Sequence, residues 1–212
     1  MTHTRLQPGL YAITDTHLTG EVPIETAVEQ AIRGGARVIQ YRDKQAERSV
    51  RETTARHLAG LCRSHGIPLI INDDIGLAAR CGAAGVHLGR SDSPLLEARE
   101  QLGPAAVIGI SCYNNLDRAR AAVAAGADYV AFGRFFPSGS KPDAVPAEPG
   151  LLTRARDLLE VPLVAIGGIT PDNGAALLEA GADLLAAIEG VFGQPDIEAA
   201  ARRYAALFDA EH

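Results

Sequence analysis

The chain has 212 residues, of which 47% are hydrophobic and 22% charged, a balance typical of a folded globular protein rather than a disordered chain. Its net charge of −6 and the absence of a Lys or Arg run argue against nucleic acid as a partner. The sequence shows neither a signal-peptide pattern nor an apolar stretch of membrane-spanning length, so we expect a cytoplasmic protein with no membrane partner.

No stretch rich in Pro, Gly or Ser divides the sequence, so we predict one domain over residues 1–212. The cysteines Cys62, Cys81 and Cys112 are odd in number and form no C-x-x-C pair. This pattern favours reduced thiols over a disulfide framework or a zinc site. The composition is compatible with a homo-oligomer.

A unit recurs along the chain in which a helical stretch ends in Gly, a small residue follows, and a short apolar run comes next. Gly126-Ala127-Asp128 and Gly181-Ala182-Asp183 are two examples. Gly supplies the left-handed cap of a helix, and a short apolar run is typical of a parallel strand buried on both faces. Eight runs fit such strands: 10–14, 38–42, 69–72, 86–88, 107–111, 129–132, 163–166 and 184–187.

Helical stretches separate these runs, among them 24–33, 49–65, 94–102, 116–125, 151–159 and 171–180. Eight alternations of about 25 residues each predict an α/β protein that forms a single (β/α)₈ TIM barrel. The alternative is an open doubly wound sheet, which is disfavoured because no G-x-G-x-x-G follows the first strand.

Polar residues follow the predicted strands, where barrel enzymes keep their active sites. After the second strand, alternation places Gln40, Arg42 and Lys44 on one side, which favours binding of an anion over a set of solvated charges. After the third and fourth strands, Asp73 and Asp92 present carboxylates of the kind that Mg²⁺ prefers.

Two residues near these carboxylates have structural interpretations. Asp74 immediately precedes a helical stretch, so it is the better candidate for capping that helix. His87 lies in the fourth strand and is predicted to be packed or orienting rather than catalytic.

The loops after the sixth, seventh and eighth predicted strands suggest an anion site. Residues 133–143 form a long connection after the sixth strand, with small hydroxyl residues and Lys141. Gly167 and Gly168 precede Pro171, which is predicted to open a helix, and Ala187 and Ile188 end the eighth strand. Loops after strands seven and eight commonly bind phosphate in TIM barrels, although a glycine pair also serves tight packing.

These motifs, taken in order, resemble those of the thiamine-phosphate synthase family. The resemblance rests on 40–44, 72–74, 85–89 with Asp92, 109–111, 138–142 and 166–169, and it covers nearly the whole chain. It implies an Mg²⁺-assisted condensation of hydroxymethylpyrimidine diphosphate with a thiazole phosphate to give thiamine phosphate and pyrophosphate. The family is thought to ionise the pyrimidine before the thiazole nitrogen attacks, so that the protein needs no nucleophile.

The resemblance also implies roles for individual residues. The diphosphate would be held by Arg42, Lys44, Asn72, Ser111 and Lys141. Asp73 and Asp92 would place Mg²⁺, and Gln40 would lie near the pyrimidine. The thiazole phosphate would be held by Ser138 and Ser140 with the backbone of Gly168, Ala187 and Ile188.

The chain departs from the family pattern at two positions. Ala186 stands where the family often has Ser, and Tyr113 stands where a His is frequent. Since a related thiazole tautomerase is thought to use a histidine near the second position, a tautomerase or another phosphate-binding isomerase is the alternative enzyme. A catalytically silent barrel that senses a phosphorylated metabolite is the alternative outside enzymes.

Overall fold

The computed structural model describes residues 6–89, 94–137 and 145–209. Parallel strands form one closed barrel in the order in which they occur in the chain, which confirms the predicted TIM barrel and excludes the open sheet. The strands are β1 Gly9–Ile13, β2 Ala36–Tyr41, β3 Leu69–Asn72, β4 Gly85–Leu88, β5 Val107–Tyr113, β6 Tyr129–Phe132, β7 Leu163–Ile166 and β8 Leu184–Ala187.

Helices surround the barrel and cover its outer face. Those in the described ranges are α1 Ile24–Arg33, α2 Arg48–Ser64, α3 Ile75–Cys81, α4 Leu95–Leu102, α5 Leu116–Ala124, α6 Gly150–Leu158, α7 Ala175–Glu179, α8 Glu189–Phe192 and α9 Ile197–Asp209. The last helix packs against α1 and β1, so the ring of helices closes at the same place as the barrel. None of the helices in these ranges has both the length and the apolar character needed to cross a bilayer.

Side chains of each strand alternate between two apolar layers. In β1, Leu10 and Ala12 pack outward among the helices, whereas Tyr11 and Ile13 pack inside the barrel. The cysteines predicted to be reduced thiols are all buried and unpaired. Apolar side chains fill the barrel interior toward the amino ends of the strands. Polar groups at the centre of the barrel are therefore accessible only from the carboxyl ends of the strands.

The start of α3 confirms the predicted capping residue. The Asp74 carboxylate accepts a hydrogen bond of 2.7 Å from the backbone N–H of Leu77, and Gly82 ends the helix with φ of 65°. This interaction satisfies one of the amides that a helix start leaves unpaired.

The segment after β7 corrects the predicted helix 171–180, because α7 begins only at Ala175. A turn precedes it, in which the backbone N–H groups of Asn173 and Gly174 both donate to the carbonyl of Thr170. The Asn173 side chain accepts a bond of 2.8 Å from the Thr170 N–H. Asn173 thus supports a local turn that competes with helix after Pro171.

The recurring Gly-Ala-Asp unit has a structural explanation at the amino ends of the strands. The Asp128 carboxylate accepts bonds of 2.7 Å from Arg99 and from the Ile108 N–H. Asp183 repeats the arrangement with Arg156 and with the Leu163 N–H. Each aspartate therefore links the start of one strand to the preceding strand and to a helix.

Candidate active site

A cavity of about 430 Å³ opens at the carboxyl ends of the strands. Its floor is formed by barrel-facing side chains that include Tyr11, Gln40, His87 and Ser111. Its rim includes residues of the segments after β6, β7 and β8. A concave site of this size with a few polar groups is typical of small-molecule binding.

Many of the predicted site residues lie together on the wall of this cavity. They are Gln40, Arg42, Asn72, Ser111, Gly168, Ala187 and Ile188. The departures at Tyr113 and Ala186 lie on the same wall, where Ala186 provides no hydroxyl group. Asp92, Ser138, Ser140 and Lys141 were predicted site residues as well, and they lie outside the described residues.

Lys44 and Asp73 line a neighbouring cleft of about 520 Å³, and Asn72 borders both spaces. The alternation of a strand had predicted Lys44 on the same side as Arg42. Strand alternation does not extend to Lys44, because β2 ends at Tyr41 and the Asp43 carboxylate closes a turn by accepting bonds of 3.0 Å from the N–H groups of Gln45 and Ala46.

The Asp43 carboxylate itself is stabilised by this turn. Partial burial acts to raise the pKa of Asp43, but the Ala46 and Gln45 amides and the Thr16 hydroxyl outweigh that effect and lower the pKa. The ionised carboxylate therefore holds the segment that carries Lys44.

Thr14, which was predicted only as part of a strand, holds the backbone of Arg42 in place. The Arg42 N–H donates to the buried Thr14 hydroxyl at 2.9 Å, and that hydroxyl lies 3.3 Å from the Arg42 carbonyl, to which it donates. The guanidinium lies 3.7 Å from the Asp15 carboxylate. The ends of β1 and β2 together hold this cation at the cavity.

Hydrogen bonds connect polar side chains across the barrel interior. The Gln40 amide nitrogen donates to the Tyr11 hydroxyl at 3.1 Å, and the Tyr11 and Tyr129 oxygens lie 2.7 Å apart. His87 joins the Tyr129 hydroxyl at 2.9 Å through Nδ1 and the Ser111 hydroxyl at 2.8 Å through Nε2. These contacts agree with the orienting role predicted for His87, whereas Tyr11 and Tyr129 were missed as polar residues.

Arg118 of α5 fixes the backbone of the same region. Its guanidinium donates to the Ser111 carbonyl at 2.8 Å and to the Gly89 carbonyl at 3.1 Å. It thereby ties the ends of β4 and β5 together, and it lies 6.0 Å from the centre of the Tyr113 ring. In the sequence, Arg118 was part of the predicted helical stretch 116–125 and was not proposed as a site residue.

The glycine pair after β7 serves close packing and also lines the cavity. Gly167 and Gly168 have φ of 105° and 62°. A side chain at Gly168 would overlap the backbone of the segment after β6, where Phe136 donates its N–H to the Gly167 carbonyl at 3.0 Å. After β8, the first hydrogen bond of α8 runs from the Val191 N–H to the Ile188 carbonyl. The backbone N–H groups before Val191 are therefore not part of the hydrogen-bond pattern of the helix.

Asp73 offers one suitable ligand for a magnesium ion. Its φ of 64° turns the chain directly after β3, and its carboxylate accepts a bond of 2.6 Å from the Asn72 amide. Within the described ranges, no three His, Cys, Asp or Glu side chains come together as a complete metal site. Mg²⁺ often takes only one or two carboxylates besides phosphate oxygens and water, so this donor fits the ion.

The closed barrel, and the cavity with its few polar groups at the carboxyl ends of the strands, define a TIM-barrel enzyme that acts on a small molecule. Comparison with known proteins identifies the family. The model of the thiamine monophosphate synthase family matches residues 10–191, and the chain belongs to that family, as the motifs had indicated.

Similar proteins cover nearly the whole chain. The thiamine-phosphate synthase of Thioalkalivibrio sulfidiphilus is 54% identical over 201 residues, which are 95% of each chain. The thiamine-phosphate synthase of Marinobacter nauticus is 52% identical over 99% of this chain and 95% of its own. Among solved structures, thiamine phosphate pyrophosphorylase from Pyrococcus furiosus is 33% identical, with a TM-score of 0.88 over 97% of this chain and 98% of its own.

Proposed function

We propose that this enzyme acts in the cytoplasm, where it joins hydroxymethylpyrimidine diphosphate to a thiazole phosphate and releases thiamine phosphate and pyrophosphate. The observation that carries the proposal is the contrast between two walls of the site. Arg42, Asn72 and Ser111 form a cationic and polar wall at the ends of β2, β3 and β5, whereas Gly168 and Ile188, which have no polar side chain, line the cavity after β7 and β8. Two substrates with different phosphate groups require two such anion sites.

The cationic wall suits the diphosphate. Asn72 borders both the cavity and the cleft, so a diphosphate bound beside it has Arg42 on one side and Lys44 on the other. We assign Arg42, Lys44, Ser111 and Lys141 to the leaving group because its negative charge grows as the C–O bond breaks. Fixed cations and hydrogen-bond donors are most effective where charge develops in the transition state.

The metal belongs on the same side of the site. Asp73 and Asp92 would hold Mg²⁺, which would neutralise charge on the diphosphate oxygens when it is bound. Asn72 supports this assignment because its amide nitrogen donates to the Asp73 carboxylate and restrains it at the end of β3.

The backbone wall suits the phosphate that stays attached to its substrate. We assign the amides near Gly168, Ala187 and Ile188 to the thiazole phosphate, together with the hydroxyl groups of Ser138 and Ser140. Backbone amides at loop and helix starts are adequate for a phosphate whose charge does not change in the reaction. Since Ala186 has no hydroxyl group, the amides carry more of this interaction.

The reaction follows from the two sites and needs no covalent bond to the protein. The C–O bond of the pyrimidine substrate breaks, and both of its electrons leave with the pyrophosphate. The ring nitrogen of the thiazole then donates its electron pair to the carbocation that remains. Gln40 orients the pyrimidine between the two phosphate sites, so that the electrophilic carbon faces the thiazole nitrogen.

The direct test is to mix the purified protein with both substrates and Mg²⁺ and to quantify the products by chromatography. We expect one pyrophosphate for each thiamine phosphate, and no product with one substrate alone. Omission of metal separates this activity from that of an isomerase or a sensor, which would not depend on metal. The proposal is wrong if neither product forms, and conversion of the thiazole precursor alone without metal would assign a tautomerase instead.

A further inference from the structure

A chain of hydrogen bonds runs from Gln40 to Ser111. Each group in it has a limited number of protons, so the choice of donor in one hydrogen bond restricts the choice of donor in the next. The Gln40 amide nitrogen has no lone pair to accept with, so the Tyr11 oxygen accepts from it at 3.1 Å. A neutral phenol carries one proton. Of the two described partners of the Tyr11 hydroxyl, the Tyr129 oxygen, 2.7 Å away, is the one that can accept this proton.

The same reasoning predicts which nitrogen of the histidine ring carries the proton. If the Tyr129 oxygen accepts from Tyr11, the Tyr129 proton points to Nδ1 of His87, which lies 2.9 Å away. An accepting Nδ1 carries no proton, so the neutral ring carries its proton on Nε2. Nε2 then donates to the Ser111 hydroxyl oxygen at 2.8 Å.

We propose that this one-way chain of hydrogen bonds positions Gln40 and Ser111 for opposite tasks in the cavity that both line. Gln40 presents its carbonyl oxygen as an acceptor, and Ser111 presents its hydroxyl proton as a donor. Tyr11, Tyr129 and His87 are positioning residues that act through these two. The inference deepens the proposed function and rests on it for the substrate, because an aminopyrimidine supplies a donor and a diphosphate supplies acceptors.

The surroundings of the chain hold its protons in place. Both phenols are buried, and burial raises the pKa of Tyr11 and of Tyr129 well above the usual range for tyrosine, so each keeps its proton. The His87 ring is stacked on the Tyr129 ring with centres 5.6 Å apart. Stacking and two hydrogen bonds fix the orientation of the imidazole.

The first test reads the tautomer of His87 by ¹⁵N NMR in the substrate-free protein, with the signals assigned by their loss in His87→Gln. We expect the proton on Nε2 and an accepting Nδ1. A proton on Nδ1, or an even mixture of tautomers, would overturn the inference. Because no substrate is present, this result is independent of whether the proposed reaction takes place.

Two tyrosine variants test whether Tyr129 sets the tautomer. Tyr129→Phe removes the donor to Nδ1, so we expect a mixture of tautomers at His87. Tyr204→Phe is the matched control, since Tyr204 is equally buried but donates to the Ile169 carbonyl at 2.8 Å, and it should leave the His87 signals unchanged. Unchanged His87 signals in Tyr129→Phe would show that the phenol does not direct the ring.

Kinetics then test whether the chain acts through Ser111. Loss of one hydrogen bond to a charged group predicts a fall in kcat/KM of about tenfold or more for Tyr129→Phe. In a Ser111→Ala background, the loss caused by Tyr129→Phe should be clearly smaller, because one of the two groups that Tyr129 positions is already absent and only its effect through Tyr11 and Gln40 is left. Equal losses in the two backgrounds would contradict positioning through Ser111.

Discussion

Gly109 of β5 lies directly opposite Tyr129 of β6, and a side chain at Gly109 would overlap the tyrosine ring. The missing side chain makes room for the phenol to enter the barrel interior and to reach His87. A glycine inside a buried strand often marks such a close approach. The Gly109-Ile110-Ser111 motif therefore contributes to the site through its glycine as well as through its serine.

Gly109→Ala should destabilise the fold by roughly 1–3 kcal/mol, because the added methyl group overpacks the interior against Tyr129. Urea unfolding measures the change. Gly60→Ala is the control, since Gly60 lies in α2 with open space around it, and it should be neutral or stabilising by up to about 1 kcal/mol. Equal stability of the two variants would show that the interior adjusts to the added methyl group without cost.

Substitutions of the adjacent residues Asp73 and Asp74 should have different effects, one on the metal requirement and the other on stability. Asp73→Asn should raise the Mg²⁺ concentration needed for activity with little change in Tm, because Asn tolerates the same positive φ. Asp74→Ala should instead cost about 1 kcal/mol of stability through the lost cap of α3. Metal titrations and thermal melts decide, and an unfolded Asp73→Asn protein would show that Asp73 is structural.

Arg42→Ala should slow the condensation by roughly 10²-fold or more, because an oriented cation at the leaving group stabilises the developing charge. Steady-state kinetics at saturating Mg²⁺ measure the loss. Arg33→Ala makes the same chemical change in an exposed pair with Glu29 on α1 and should leave the rate unchanged. A near-normal rate in Arg42→Ala would remove Arg42 from the site.

Asp128→Ala should cost about 2 kcal/mol, because Arg99 and the Ile108 amide both lose an acceptor in a partly buried position. Glu29→Ala breaks an ion pair of similar length and should cost at most about 0.5 kcal/mol, since the pair is exposed on a helix surface. The Arg99–Asp128 side chains are 24% and 21% exposed, against 57% and 36% for Arg33–Glu29. Chemical denaturation of both variants measures the two losses of stability, and equal losses would contradict this prediction.

The three cysteines should be inert in the folded protein. Burial raises the pKa of Cys62 and of Cys112 to about 12 and also raises the pKa of Cys81. At pH 8 a thiol with so high a pKa is ionised to only about 1 part in 10⁴, and the thiolate is the reactive form. A thiol-reactive disulfide reagent should therefore titrate none of the cysteines until denaturant is added. Rapid reaction of one cysteine in the folded protein would show that the structure opens locally around it.

Much of the barrel could be predicted because helix caps and apolar runs are local signals. The runs 69–72, 129–132, 163–166 and 184–187 coincide with β3, β6, β7 and β8. Prediction was weaker where the backbone departs from regular geometry. β5 continues past the predicted end at Ser111 through a register shift, and Tyr113 has φ of 57°.

The lining of the candidate site was predictable for residues that follow strands and less so for residues that lie within them. Alternation placed Gln40 and Arg42 on one side, where both line the cavity, but the rule does not extend past Arg42 because β2 has ended and the chain turns at Asp43. Tyr11 and Tyr129 lie in apolar strands, where an aromatic residue is usually core. Their polar role depends on contacts between strands distant in sequence, which no local pattern encodes.

The pairing of β1 with β8 has a consequence for synthesis on the ribosome. Leu10 is paired with Leu185, so the first strand to leave the ribosome completes its pairing only after the last strand has been made. At ordinary rates of translation this interval is roughly 10 to 35 seconds. One edge of β1 is unpaired throughout, and an open strand edge is a template for pairing with other chains. Aggregation of nascent chains is therefore the characteristic hazard of this topology, and chaperones that cover β1 early would relieve it.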